Sequence, residues 1–136
     1  MAFVLCSSVA LAWLLPGDRP AEADEVAQRL EREPAVVPAV WSLEVGEGLR
    51  AAEARAGLTE DEAARGLEVL LSLPVETDSG GPVTQLHDTL ALARVLSLSA
   101  ADAAYVELAL RRGLPLATLD DRLRRACAAA RVPVLP

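Results

Sequence analysis

The side chains of this chain with chemical possibilities are one early cysteine and a scattered set of acids: Cys6, Glu44, Glu47, Asp102, Asp120 and Asp121. Sites built from carboxylates reach phosphates through a cation, so such a set is compatible with phosphate chemistry. Asp102 is the most telling. On a helix from Ser99 to Arg111 it shares one side with Val106, Ala109 and Leu110, at spacings of four, seven and eight. An unpaired carboxylate on an apolar face is expensive, although Ser99 followed three residues later by Asp102 also reads as a capping box. The opposite side carries Glu107 and Arg111, a favourable i,i+4 pair. Glu44 flanks the stripe Trp41, Val45, Leu49 and Ala52, with Glu47 one turn further on. A solvated Glu is the ordinary explanation. Yet Gly46 and Gly48 each cost that helix about 1 kcal/mol relative to Ala, which suggests close approach of another backbone or a ligand. Asp120 and Asp121 also suit helix-start chemistry, with Thr118 as cap and Asp121 in the box position. Each signal has a plain capping or surface explanation, and none alone names a function.

The elements that must position these residues alternate between short apolar runs and amphipathic helices. Ala2 to Leu5 suits a strand buried on both faces, and Ser7 or Ser8 can cap a helix through Leu15 that Pro16-Gly17-Asp18 breaks. A charged helix follows over Ala21 to Glu33, then a strand over Ala35 to Val37. Pro38 opens a long helix to about Ala56, closed by Gly57 as left-handed cap, and Thr59 with Glu62 forms a capping box for a helix to Leu71. Pro74 to Glu76 is a weak strand, Thr77 to Pro82 a Gly-rich turn, and Val83 to Leu96 a helix. Ser99 caps a helix ending near Gly113; strand Leu114 to Thr118, helix Leu119 to Ala130 and strand Val132 to Leu135 complete the chain. This alternation implies an α/β domain with a parallel sheet covered on both faces. Sites in such sheets form at the carboxyl ends of strands, where Cys6 and Asp120 fall and helix N-termini point.

The 136 residues fit one domain over residues 1–136, and 52% apolar content with 3% aromatics calls for a core of Leu, Val and Ala. The net charge of −7 argues against a broad basic surface for nucleic acid, without excluding an acidic, cation-bridged site. Cys6 and Cys127 are too few and too far apart for a disulfide framework or a zinc signature, and reduced thiols in a cytoplasmic protein are expected. Phe3 to Leu15 has signal-peptide length, with Ala21-Glu22-Ala23 in the place of a cleavage site. No Lys or Arg precedes it, and it is too short to span a bilayer. A buried strand and helix, with no membrane partner, is the expectation. His87 beside Asp88 reads as surface, Cys127 as core, and Trp13 and Trp41 as packing or interface residues. Arg111, Arg112, Arg122, Arg124 and Arg125 cluster late, suited to RNA phosphates or to a solvated face.

Three blocks in order carry a resemblance: FVLCSSVALAWLLP at Phe3 to Pro16, VPAVWSLEVGEGL at Val37 to Leu49, and LSAADAAYVELALRRGLPLATLDDRL at Leu98 to Leu123. In these the chain resembles PIN domains of the VapC type, the toxin half of bacterial toxin–antitoxin pairs, over essentially its full length. The resemblance implies a three-layer α/β/α sandwich with a short, mostly parallel sheet. It also implies a metal-dependent endoribonuclease holding Mg²⁺ or Mn²⁺, an antitoxin partner, an RNA substrate and a homodimer. Of the family's four acids, three carry over as Glu44, Asp102 and Asp120. Clustered carboxylates of this kind are stable together only when a hard cation neutralises them. Ser8 and Thr118 match flanking hydroxyl positions that orient a ligand or metal-bound water. Where the family pattern reads D-x-S, this chain reads Cys6-Ser7-Ser8, so the first acid is missing; Glu47 stands where Asn is common. A thiol suits soft metals and not Mg²⁺. The chemistry therefore divides into a ribonuclease whose metal binding is either weakened at Cys6 or restored by Glu47 as a substitute acid, and an impaired PIN domain that only binds a partner. An unrelated α/β protein with acids as helix caps stands outside both.

Overall fold

β1 (Phe3–Leu5), β2 (Ala35–Val37), β3 (Val75–Thr77), β4 (Leu116–Ala117) and β5 (Val134–Leu135) form one five-stranded sheet in a computed structural model that describes residues 1–80 and 82–135. Gly81, inside the expected turn from Thr77 to Pro82, lies outside the described residues. The order is β3-β2-β1-β4-β5 and every pairing is parallel, so the sheet expected as mostly parallel is wholly so among the described residues. The strands are short because the residues beyond them leave at once into helices or turns. All of β1 and β2 and both residues of β4 are buried, which matches their unbroken apolar sequence.

The connections generate the layers. From β1 the chain runs through α1 (Ser7–Leu14) and α2 (Ala21–Arg29) to β2, then through α3 (Val40–Ala54) and α4 (Glu60–Leu71) to β3. It then reverses, through α5 (Pro82–Leu96) and α6 (Ala100–Arg112) to β4, and through α7 (Asp121–Ala130) to β5. Right-handed crossovers in opposite directions put the two sets of helices on opposite faces. Accordingly α1 contacts α2, α3 and α4, whereas α6 contacts α5, α7, β1 and β4. The result is the three-layer α/β/α sandwich. Its strand order switches direction between β1 and β4, paired as Leu5 with Ala117. The crevice beyond that pair is where such sheets place their sites, and Cys6 and Thr118 are the next residues on each strand.

Helix starts agree with sequence at Thr59, whose capping box is complete, and at Ser99, whose hydroxyl accepts from the Asp102 N–H. At α1 they do not: neither Ser7 nor Ser8 is the cap. Cys6 occupies that position without a side-chain bond, because both hydroxyls are drawn into longer-range contacts. Four helix ends follow one rule. In α3, α5, α6 and α7 an N–H reaches back five residues to close the helix: Gly57 to Ala52, Leu98 to Ala93, Leu114 to Ala109, Val132 to Cys127. The left-handed residue in each case is the one before, namely Ala56, Ser97, Gly113 and Arg131. Gly57 therefore does not take the left-handed position expected of it; Ala56 does. The glycines of α3 divide as well. A Cβ on Gly48 would lie 2.5 Å from Leu11 Cδ2, so close helix packing explains it, while Gly46 faces open space.

Candidate functional site

The site begins with the two turns that leave β1 and β4. The Cys6 N–H donates to the Ala117 carbonyl at 3.0 Å, extending the β1–β4 pairing by one bond. Ser8 Oγ and Thr118 Oγ1 then meet at 3.3 Å. The Leu119 N–H donates to Ser8 Oγ and the Asp120 N–H donates to Thr118 Oγ1, each at 3.1 Å. The hydroxyls expected to orient a ligand thus serve first to latch the two turns together. Arg124 completes the latch by donating twice to the Thr118 carbonyl, at 3.2 and 3.0 Å.

On this frame the acids take distinct roles. Asp120, not Thr118, caps α7: its Oδ1 accepts the Arg122 N–H at 2.9 Å. Its Oδ2 lies 4.0 Å from Arg122 Nη2. Asp102 has half a capping box, since only the Ser99 hydroxyl bond forms. Its Oδ2 instead accepts from Arg122 Nη2 at 3.4 Å. Asp102 and Asp120, from different helices, therefore converge on one guanidinium. Glu44 is pinned separately: its Oε1 accepts from Tyr105 Oη at 2.6 Å and from Ser7 Oγ at 3.0 Å. Tyr105 Oη in turn accepts from the Ser7 N–H at 3.3 Å. Burial, with help from the hydrogen bond to Glu44, raises the Tyr105 phenol far above its usual range, so it stays a donor.

Cys6 sits among these groups and is buried. Burial pushes its thiol well up; a hydrogen bond with Thr118 opposes this, and the charges of Cys127, Glu44 and Asp102 add to it. At neutral pH it is an uncharged thiol, where the resemblance places an acid. Glu47 and Asp121 are exposed, and neither joins the set. Among the described residues no three His, Cys, Asp or Glu side chains stand close enough to hold a metal ion together. The donor chemistry nonetheless fits a hard divalent cation at Asp102 and Asp120. Their oxygens face a point that already attracts a positive group, whereas Cys6 adds nothing to it.

Tyr105 was missed by the sequence reading. It stands in the D-A-A-Y run, but nothing local told that its hydroxyl would cross to a Glu far back along the chain. The basic cluster also divides. Arg111 and Arg112 are committed to Asp78, Glu107 and Glu76, and Arg124 to a carbonyl. Arg122 and Arg125 remain at the rim, lining a cleft of about 370 Å³ with Ser97 and Leu98. A second cleft of about 260 Å³, between α5, α6 and the start of α3, contains none of the candidate acids.

These features, a parallel sheet switching direction at β1/β4 with acids at the switch, define a doubly wound α/β protein. The chain belongs to the PIN domain family, whose sequence model matches residues 4–129 and so spans every candidate residue. Solved structures agree. PAE2754 from Pyrobaculum aerophilum is 28% identical, with 93% of this chain and 87% of that one covered and a TM-score of 0.66. VapBC2 from Rickettsia felis, bound to a DNA fragment from their promoter, is 12% identical, with 98% and 97% covered and a TM-score of 0.69. FitAcB from Neisseria gonorrhoeae is 17% identical, with 100% and 97% covered and a TM-score of 0.65. The latter two are likenesses of fold. No curated protein matches the chain. Family membership removes the reading of an unrelated α/β protein. Among the described residues no single helix is long and apolar enough to cross a membrane.

Proposed function

We infer that residues 1–136 act as a single PIN-type domain: a metal-dependent endoribonuclease toxin of the VapC type, cleaving RNA phosphodiesters with metal binding weakened at Cys6. The observation that carries this reading is the convergence of Asp102 and Asp120 on one cationic point beyond the β1/β4 switch. Asp102 and Asp120 would hold Mg²⁺ or Mn²⁺, and Glu44, kept in place by Tyr105 and Ser7, adds negative charge at the same rim. Such a cation, when bound, activates water and stabilises the oxyanions of a phosphodiester. The protein's own part is positional. The Ser8–Thr118 latch fixes the turn that carries Asp120. The neutral Cys6 thiol withholds the charge a fourth acid would contribute, and Glu47, exposed one turn along α3 from Glu44, is the candidate substitute. Mn²⁺-dependent cleavage of RNA, abolished by Asp102→Asn, is the expected result; no cleavage at any metal concentration would sink the ribonuclease.

The reading includes a cytoplasmic setting and an antitoxin partner, supported by the likeness to VapBC2 and FitAcB. Leu43 on α3 with Val69 and Leu71 on α4 are exposed and suit such a partner. Val83, Leu86, Leu90 and Val95 on α5 suit a second copy of the chain. A specific observation favours the alternative, an impaired PIN domain acting only through partners: no three metal-capable side chains meet among the described residues. Retained antitoxin binding without any cleavage is the outcome that would select it.

A further inference from the structure

We propose that Arg122 is a built-in counter-ion of the acid pair, competing with a divalent cation for Asp102 and Asp120, so that metal binding must displace it. The inference rests on reading this rim as the metal site. Among the described residues Arg122 is the one basic side chain in an ion pair with either acid. Its position is set by the backbone, because its own N–H is held by Asp120 Oδ1 at 2.9 Å. The backbone of Arg122 is therefore anchored beside the acids whatever its side chain does.

The side-chain contact, by contrast, is built to yield. One nitrogen serves both carboxylates, at 3.4 and 4.0 Å, and the side chain is 67% exposed. Exposed, single-pronged pairs of this length are weak. Arg111 shows what the same chain does when it fixes a guanidinium, with bonds of 2.7 Å to both Glu107 and Asp78. Arg122 also has somewhere to go: it lines the cleft of about 370 Å³ with Ser97, Leu98 and Arg125. In a site short of one carboxylate at Cys6, a resident positive charge weighs more against an incoming one.

Calorimetric titration of the full chain with Mn²⁺, paired with melting curves, tests this. Arg122→Gln is expected to bind Mn²⁺ about two- to fivefold tighter than the unaltered chain, and Arg122→Lys, which keeps the charge, to stay close to it. Without metal, Arg122→Gln is expected to melt slightly lower, and Mn²⁺ to raise its Tm by more than it raises that of the parent. In an Asp102→Asn background the gain from Arg122→Gln is expected to shrink. Equal or weaker Mn²⁺ binding by Arg122→Gln, or a gain shared by Arg122→Lys, would overturn the counter-ion role while leaving the metal site standing. Absence of Mn²⁺ binding from every variant would overturn the metal reading itself, and this inference with it.

Discussion

The two ends of α6 treat acids in opposite ways. Near its C-terminus Glu107 is buried yet fully matched: Arg111 holds it at 2.7 and 3.2 Å and reaches Asp78, at the end of β3, at 2.7 Å, with Arg112 adding a 3.0 Å contact to Asp78. At its N-terminus Asp102 shares a single long contact from Arg122 with Asp120. The first arrangement ties β3 to α6. It also bears out the expected i,i+4 pair of Glu107 and Arg111, with Glu107 buried while Leu110, expected on the apolar side, is exposed. The second leaves negative charge under-neutralised at a strand switch. Short, many-pronged pairing marks the structural cluster, and sparse pairing marks the candidate site, although both are acids with arginines.

Substitutions should separate the two ends by sign as well as size. Arg111→Ala is expected to cost about 3 kcal/mol, the low end for breaking a buried pair because Arg112 still serves Asp78, read as a fall in denaturation midpoint. Acid should act on the same cluster. The Arg111 bond holds the Asp78 carboxyl below its usual range, ahead of the opposing effect of burial. Its contribution is therefore present above the unfolded-state value near about pH 4 and lost as pH falls through the lower folded-state value. Asp78→Asn should flatten that part of the pH–stability curve. At the other end Asp102→Asn is expected to leave stability within about 0.5 kcal/mol of the parent, or slightly above it, since an exposed pair is worth little and site acids repel. A large loss there would erase the distinction between the two regions.

Much of this was legible because it is local. Thr59 with Glu62, Ser99 before α6, and the apolar runs that became β1 and β2 declare themselves within a few residues. Cys6 and Asp120 could be placed at strand ends for the same reason. What escaped depends on distant partners. Glu44 meets Tyr105 and Ser7, and Ser8 meets Thr118, across spans no periodicity can reveal. The left-handed residues Ala56, Ser97 and Arg131 escaped because the geometry of the helix end, not residue preference, decides which position takes that conformation. Gly48 suggested close approach of another backbone or a ligand, and the close neighbour is the side chain of Leu11 on α1.

The missing charge at Cys6 is the point on which the weakened-nuclease reading turns, and Cys6→Asp addresses it most directly. Titration with Mn²⁺ alongside RNA cleavage is expected to show metal affinity rising about tenfold or more, a gain of about 1.4 kcal/mol. Cleavage should rise with it, and the metal-free protein should melt lower because a buried carboxylate then faces Glu44 and Asp102. Unchanged Mn²⁺ affinity in a folded Cys6→Asp protein would contradict the placement of Cys6 in the site.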